Sequence, residues 1–265
     1  MTNLTFSPHA SMAPGLRKNG FSLIELMVAV TIGLFITLGL SQVFLSMYST
    51  SKSQNSLAQF QDNERLALVM LTNTVELAGY FASPLTTTLA SLQATAYTNT
   101  DGSVFSNGIG VVGKNTYPTT GTSDSLNVYY QSSGNDGVIN CQGQPATTGT
   151  STVFINSFTI NSKNELVCAV TPIISGTTGS TTSALVLASN VASMTILYGV
   201  DVLGTGTTSS YLTATALNNS SPSLWPNVRT VQITLNFYVA NVFNLATAPT
   251  TTTAWVQTIN IMRAS

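Results

Sequence analysis

Three hydrophobic rhythms follow one another along the chain. From residue 21 to 48 it reads FSLIELMVAVTIGLFITLGLSQVFLSMY, apolar on every side and interrupted by a single charge, Glu25. From 49 to 80 the apolar positions thin to a one-sided stripe of Leu57, Phe60, Ala67 or Leu68, Leu71, Val75 and Ala78, with a period of about 3.6. No proline occurs between Phe21 and Ser83, Gly33 and Gly39 fall where a membrane helix tolerates them, and Gly79 followed by Pro84 supplies a stop. The pattern predicts one long helix over 21–79, apolar all round in its first half and amphipathic in its second.

Beyond Ser83 the period drops to two. Segments 125–130, 152–160, 165–170, 184–188, 191–198, 228–240 and 254–262 are rich in β-branched and aromatic residues. In 228–240, Val231, Ile233, Leu235, Phe237 and Val239 alternate with Thr230, Gln232, Thr234, Asn236 and Tyr238, which predicts a strand with one wet face. Thr/Ser/Gly/Asn stretches at 86–103, 144–151, 175–183, 203–223 and 246–253 predict solvated loops. Ordered loops longer than about 15 residues are uncommon, so short strands are expected inside them. The expected fold class is α+β: a long N-terminal helix packed on an antiparallel β-sheet body.

The apolar run is long enough to cross a bilayer, which needs about 20 residues. Arg17 and Lys18 stand before it, and basic flanks stay cytoplasmic, so the C-terminal side faces outward. A secretory signal has a shorter apolar stretch and a small-residue cleavage site. A plain membrane anchor explains the length but not Glu25, because an ionisable group inside an apolar span is costly unless it has a role.

Composition narrows the function. Only 6% of the 265 residues are charged and the formal net charge is -1. Such a chain has no basic field for nucleic acid and no direct nucleic-acid site is expected. The single histidine, His9, precedes residue 20, so a chain trimmed there lacks the commonest general base. No G-x-S-x-G elbow, phosphate loop or Cys/His metal spacing is present. No enzyme, metal or cofactor is expected. In an oxidising compartment the two cysteines, Cys141 and Cys168, can form one disulfide; otherwise they are two buried thiols. Asn219-Ser220-Ser221 fits an N-glycosylation acceptor, meaningful only where that system operates.

Lys18-Asn19-Gly20-Phe21-Ser22-Leu23-Ile24-Glu25-Leu26 closely resembles the class III signal of type IV prepilins. The resemblance implies that a membrane prepilin peptidase cuts between Gly20 and Phe21 and that Phe21 is then N-methylated. It implies a leader over 1–20, a transmembrane and filament-core half of the helix over 21–48, an amphipathic half over 49–80 and a β-rich pilin domain over 81–265. Met12 offers a second start, which would shorten the leader. Glu25 becomes the fifth mature residue, whose carboxylate would neutralise the new amino group of Phe21 on a neighbouring subunit and fix its register; snorkelling to the membrane interface is the simpler alternative.

Gln59-Phe60-Gln61-Asp62-Asn63-Glu64-Arg65, with Glu76-Leu77-Ala78-Gly79-Tyr80, resembles minor pilins of the PilW type, with Asp62 and Glu64 replacing the usual Glu and Gly. Tyr198-Gly199-Val200-Asp201 resembles a segment of the same proteins but lacks a second carboxylate. A calcium ion needs six to eight oxygen ligands, so a β-turn is expected there instead.

The PilW resemblance implies a minor pilin of type IV pili that helps initiate assembly, near the tip, in support of twitching motility, adhesion and DNA uptake. Implied partners are the lipid bilayer before assembly, the prepilin peptidase, the inner-membrane assembly platform, other minor pilins, the major pilin and a PilY-type tip adhesin. The implied location is the bacterial inner membrane, body in the periplasm, and then the surface pilus. Alternatives are a J-type minor pseudopilin of a type II secretion system, a major pilin, which is usually shorter, and an uncut membrane-anchored binding protein or hydrolase.

Overall fold

The computed structural model describes residues 20–82, 97–106, 108–116, 123–238 and 252–261. The chain divides into two units, residues 1–56 and 57–265. Helix α1 runs Leu23–Glu76, within the 21–79 read from the sequence. In the first unit every described side chain is exposed. Its apolar stretch Leu23–Lys52 is 30 residues long, about 45 Å at the rise of an α-helix and more than the hydrocarbon depth of a bilayer.

In the second unit the helix becomes one-sided. Ala67, Leu71, Val75 and Ala78 are buried, while Leu66 and Val69 on the far side are exposed. The side chains of Leu57 and Phe60 lie outside the described residues. Thr74, also on the buried side, returns its hydroxyl to the Met70 carbonyl at 2.8 Å, so no polar atom is left bare. Gly79 ends the helix with a φ of 79°, the left-handed C-cap that glycine adopts without strain.

Among the described residues the β body has two main sheets and a small hairpin. The hairpin pairs β1 (Tyr97–Thr98) with β2 (Val104–Phe105). The first sheet comprises β3 (Val111–Lys114), β4 (Ser125–Ser132), β5 (Thr152–Ile160), β6 (Leu166–Ile174), β7 (Thr177–Thr178) and β8 (Leu185–Ala188), in the order β3-β4-β5-β6-β7 with β8 also on β6. The second comprises β9 (Val191–Val200), β10 (Ser210–Leu212), β11 (Val228–Tyr238) and β12 (Thr252–Asn260), in the order β10-β9-β11-β12. All the pairings are antiparallel. With the part of α1 that belongs to the second unit packed in its core, the fold class is α+β and pilin-like. A short helix α2 (Ala214–Asn218) lies between β10 and β11.

The alternation in 228–240 holds in β11, where Val231, Ile233, Leu235 and Phe237 are buried; Val239 lies outside the described residues. Thr230 differs from the expected wet-face position and is only 8% exposed. A register shift between Val228 and Thr230 sets it opposite Gly199, where its hydroxyl pairs with that of Thr208 at 3.2 Å. The stretch 203–223, expected as loop, contains β10 and α2, the latter capped by Thr213 accepting the Ala216 N–H at 3.2 Å. Likewise 86–103 contains β1, 175–183 contains β7, and β12 begins inside 246–253.

Candidate functional site

The chemistry-bearing part of the sequence is the head of α1. Gly20, Phe21 and Ser22 precede the helix, and the Leu26 N–H reaches the Ser22 carbonyl at 3.2 Å. Glu25 sits in the first turn, where a carboxylate complements the positive end of the helix dipole. Its Oε2 accepts the Ser22 N–H at 3.4 Å. That is one half of an S-x-x-E capping box, a signal present at Ser22 that the motif reading left unused.

Gly20 is exposed, and a β-carbon there would meet nothing within 4 Å. Phe21 is 86% exposed. Both residues flanking this peptide bond are exposed, and among the described residues nothing crowds position 20 so as to demand glycine there. Arg17 and Lys18 lie outside the described residues.

Among the described residues the side chains from Phe21 to Tyr48 are all exposed, Phe35 being 77% exposed and Phe44 68%. Exposing so much contiguous apolar surface to water is untenable, so this helix has an apolar surround: lipid, or other helices. Its hydroxyls are neutralised locally. Thr31 donates to Val28 O at 2.9 Å, Thr37 to Gly33 O at 3.0 Å and Ser41 to Thr37 O at 2.7 Å. Glu25 brings a carboxylate into this span, and its bond from the Ser22 N–H, at 3.4 Å, is long for a charge-assisted contact.

In the body, Cys141 and Cys168 are bonded, with Cα atoms 6.4 Å apart, inside the usual disulfide range. The bond fastens the excursion after β4 onto β6. The same excursion is held by the Cys141 N–H on Asn156 Oδ1 at 2.8 Å, by Gln142 Nε2 on the carbonyls of Cys168 and Ser183 at 3.0 and 2.9 Å, and by the Tyr130 hydroxyl on Ile139 O at 2.7 Å.

The Tyr198-Gly199-Val200 segment is not the β-turn expected of it but the end of β9, and only Asp201 leaves the strand. Asp201 is 1% exposed and accepts N–H bonds from Thr205 at 3.0 Å and Gly206 at 2.7 Å, with Arg229 at 3.8 Å. Burial alone would raise its carboxyl; the amides of Gly206, Thr205 and Gly204, then Arg229, bring it below the ordinary carboxylate value. Its oxygens face donors, an arrangement for holding a loop rather than a cation. Among the described residues no group of three or more His, Cys, Asp or Glu is placed to hold a metal.

Two family models match. Residues 152–260, which span β5 to β12, match the family described as Type IV Pilus-assembly protein W. Residues 16–41, which include Gly20, Phe21 and Glu25, match the prokaryotic N-terminal methylation motif. No curated protein matches the chain. A processing motif at the head of an apolar helix and a PilW match over the strands of the body meet in one chain, which is similar to type IV pilin-like proteins of the PilW type.

Proposed function

We propose that this chain is a minor pilin, trimmed between Gly20 and Phe21, N-methylated at Phe21 and inserted by its apolar helix into the helical bundle at the tip of a type IV pilus. The observation that carries the reading is the exposed pair Gly20 and Phe21 at the head of a helix whose apolar side chains are exposed from Phe21 to Tyr48. In this reading residues 1–20 are the leader, 21–48 the membrane and filament-core half, 49–80 the amphipathic half and 81–265 the pilin domain.

Glu25 gives the bundle its register. Cleavage creates an ammonium at Phe21 in apolar surroundings, and a carboxylate from the next helix cancels that charge while its own is cancelled. No bond chemistry belongs to the chain; its work is assembly. It primes the fibre with other minor pilins and the major pilin, beneath a PilY-type adhesin, and so serves twitching, adhesion and DNA uptake. Before assembly it resides in the inner membrane, with the body in the periplasm and the assembly platform beside it. A J-type pseudopilin of a type II secretion system would share the helix and its processing; the PilW match over 152–260 favours the pilus.

The test is a deletion strain complemented with wild-type chain or Glu25→Ala. Mass spectrometry of the mature protein is expected to find methylated Phe21 in both, with surface pili restored only by the wild type. An intact leader, or pili at normal number with Glu25→Ala, would overturn the assignment.

A further inference from the structure

We infer that β12 is a docking edge for an extended, uncharged strand supplied by another polypeptide of the fibre, an inference that rests on reading the chain as a pilus subunit. β12 is the margin of its sheet and pairs with β11 alone among the described residues. The pairing runs from Thr230↔Asn260 to Tyr238↔Thr252 without a register shift, so the strand is long, regular and free of bulges.

A free edge presents a row of unmet N–H and C=O groups, and natural proteins guard such edges with charge, proline, bulges or shortness. The other described margins are short: β3 and β8 have four residues, β10 three and β7 two. β12 has nine, Thr-Thr-Ala-Trp-Val-Gln-Thr-Ile-Asn, with no charge and no proline. An edge of that length, left unguarded, is suited to strand addition, where main-chain bonds supply affinity and alternate side chains supply selection.

The alternation states what the incoming strand must carry. Register with β11 places Thr253, Trp255, Gln257 and Ile259 on the core face and Thr252, Ala254, Val256 and Thr258 on the outer face. Ile259 is buried, Trp255 keeps part of its surface exposed and Val256 is 55% exposed. An added strand therefore places an apolar residue against Trp255 on the inner side and small or polar residues outside. With no charge on the edge, a charged strand would gain nothing there and would lose hydration.

The strand comes from a different polypeptide for two reasons. A second copy could pair β12 with β12, but that contact is isologous and closes on itself, whereas a fibre grows through heterologous contacts. Nor can another described margin of this chain serve, since none is longer than four residues.

Photoreactive residues placed singly at Thr252, Ala254, Val256 and Thr258, all exposed, test this in the full-length chain in piliated cells. The expected result is cross-links to one uncharged segment of another pilus protein, with the partner position advancing in step along the strand, as a β-ladder requires. Cross-links that do not step, cross-links to β12 of a second copy, or none in fibres that contain the chain overturn the docking edge and leave the pilin reading standing. If the chain is absent from fibres altogether, both fall.

Discussion

Asp124 Oδ2 accepts the main-chain N–H of Ile196 at 2.9 Å and so fastens the start of β4 to β9 of the other sheet. Around it the Asp124 N–H donates to Met194 O at 3.0 Å and the Met194 N–H to the Ser123 hydroxyl at 3.1 Å. The same carboxylate takes the Asn115 amide at 2.8 Å and the Thr116 N–H at 2.9 Å. One side chain, 1% exposed, thus joins two sheets and a loop. Replacing it by alanine leaves the buried Ile196 N–H unmet, which costs about 1–3 kcal/mol. Asp124→Ala should lower the stability of the full chain in detergent by at least the lower figure in urea titration, and Asp124→Asn by less; equal midpoints for wild type and alanine variant would contradict the role.

Acid should weaken the body through three carboxyls. For Asp101, burial opposes ionisation, but hydrogen bonds from Ser125, Ser103 and Asn127 prevail and hold it below the ordinary range. Asp136 is opposed by burial in the same way and lowered by the Ser133 N–H, the Ser132 hydroxyl and the Val138 N–H; Asp201 behaves alike. A carboxyl with a depressed value in the folded state contributes stability in full above its unfolded value of about 4, and loses it as pH falls towards the folded value. Melting temperature should therefore change little on this account above pH ~5 and fall below ~4. Asp101→Asn should reduce the acid slope, and a slope unchanged by that variant would remove Asp101 from the account.

How much of this was legible in the sequence depends on how local each signal is. The helix and β11 were readable because period and partner are built into a short stretch: Ala67, Leu71, Val75 and Ala78 face one side, and Val231 to Phe237 alternate. The N-terminal methylation motif was readable because Gly20, Phe21 and Glu25 lie within six positions. β3 was not, since Gly113 interrupts its strand propensity. The need for that glycine is tertiary: a β-carbon there would collide with the Tyr198 hydroxyl and the Ser125 carbonyl. Asp124 gave no sign either, because its partner Ile196 is far along the chain. The open edge of β12 depends on which strand lies beside it, and β pairing across long separations has no local signature.

The Cys141–Cys168 bond closes a loop with a sequence separation of 27. Constraining an unfolded chain over such a loop stabilises the fold by about 3–4 kcal/mol in the chain-entropy account. Cys141→Ser with Cys168→Ser should lower the urea midpoint accordingly, and reductant should move the wild type towards the double variant while leaving that variant unchanged. A double variant as stable as wild type would mean that the hydrogen bonds of Gln142 and Asn156 hold the excursion unaided.

The end of α1 meets the sheet at a place with no room for a side chain. A β-carbon on Gly110 would stand 2.7 Å from the Ala78 carbonyl carbon and from Gly79 Cα, and closer still to the Gly79 nitrogen. That nitrogen donates to Tyr129 O at 2.8 Å, and the Tyr129 N–H donates to Gly110 O at 2.8 Å, so the helix end, β4 and the residue before β3 are tied through main chain. The colliding atoms are backbone and cannot rotate away, so Gly110→Ala must push the helix terminus off the strand. Overpacking of this kind costs about 1–3 kcal/mol. Gly33→Ala, where a β-carbon meets nothing within 4 Å, serves as the contrast, and its midpoint should match wild type or rise slightly from helix propensity. If Gly110→Ala unfolds at the wild-type urea concentration, the helix end does not rest on Gly110 as described.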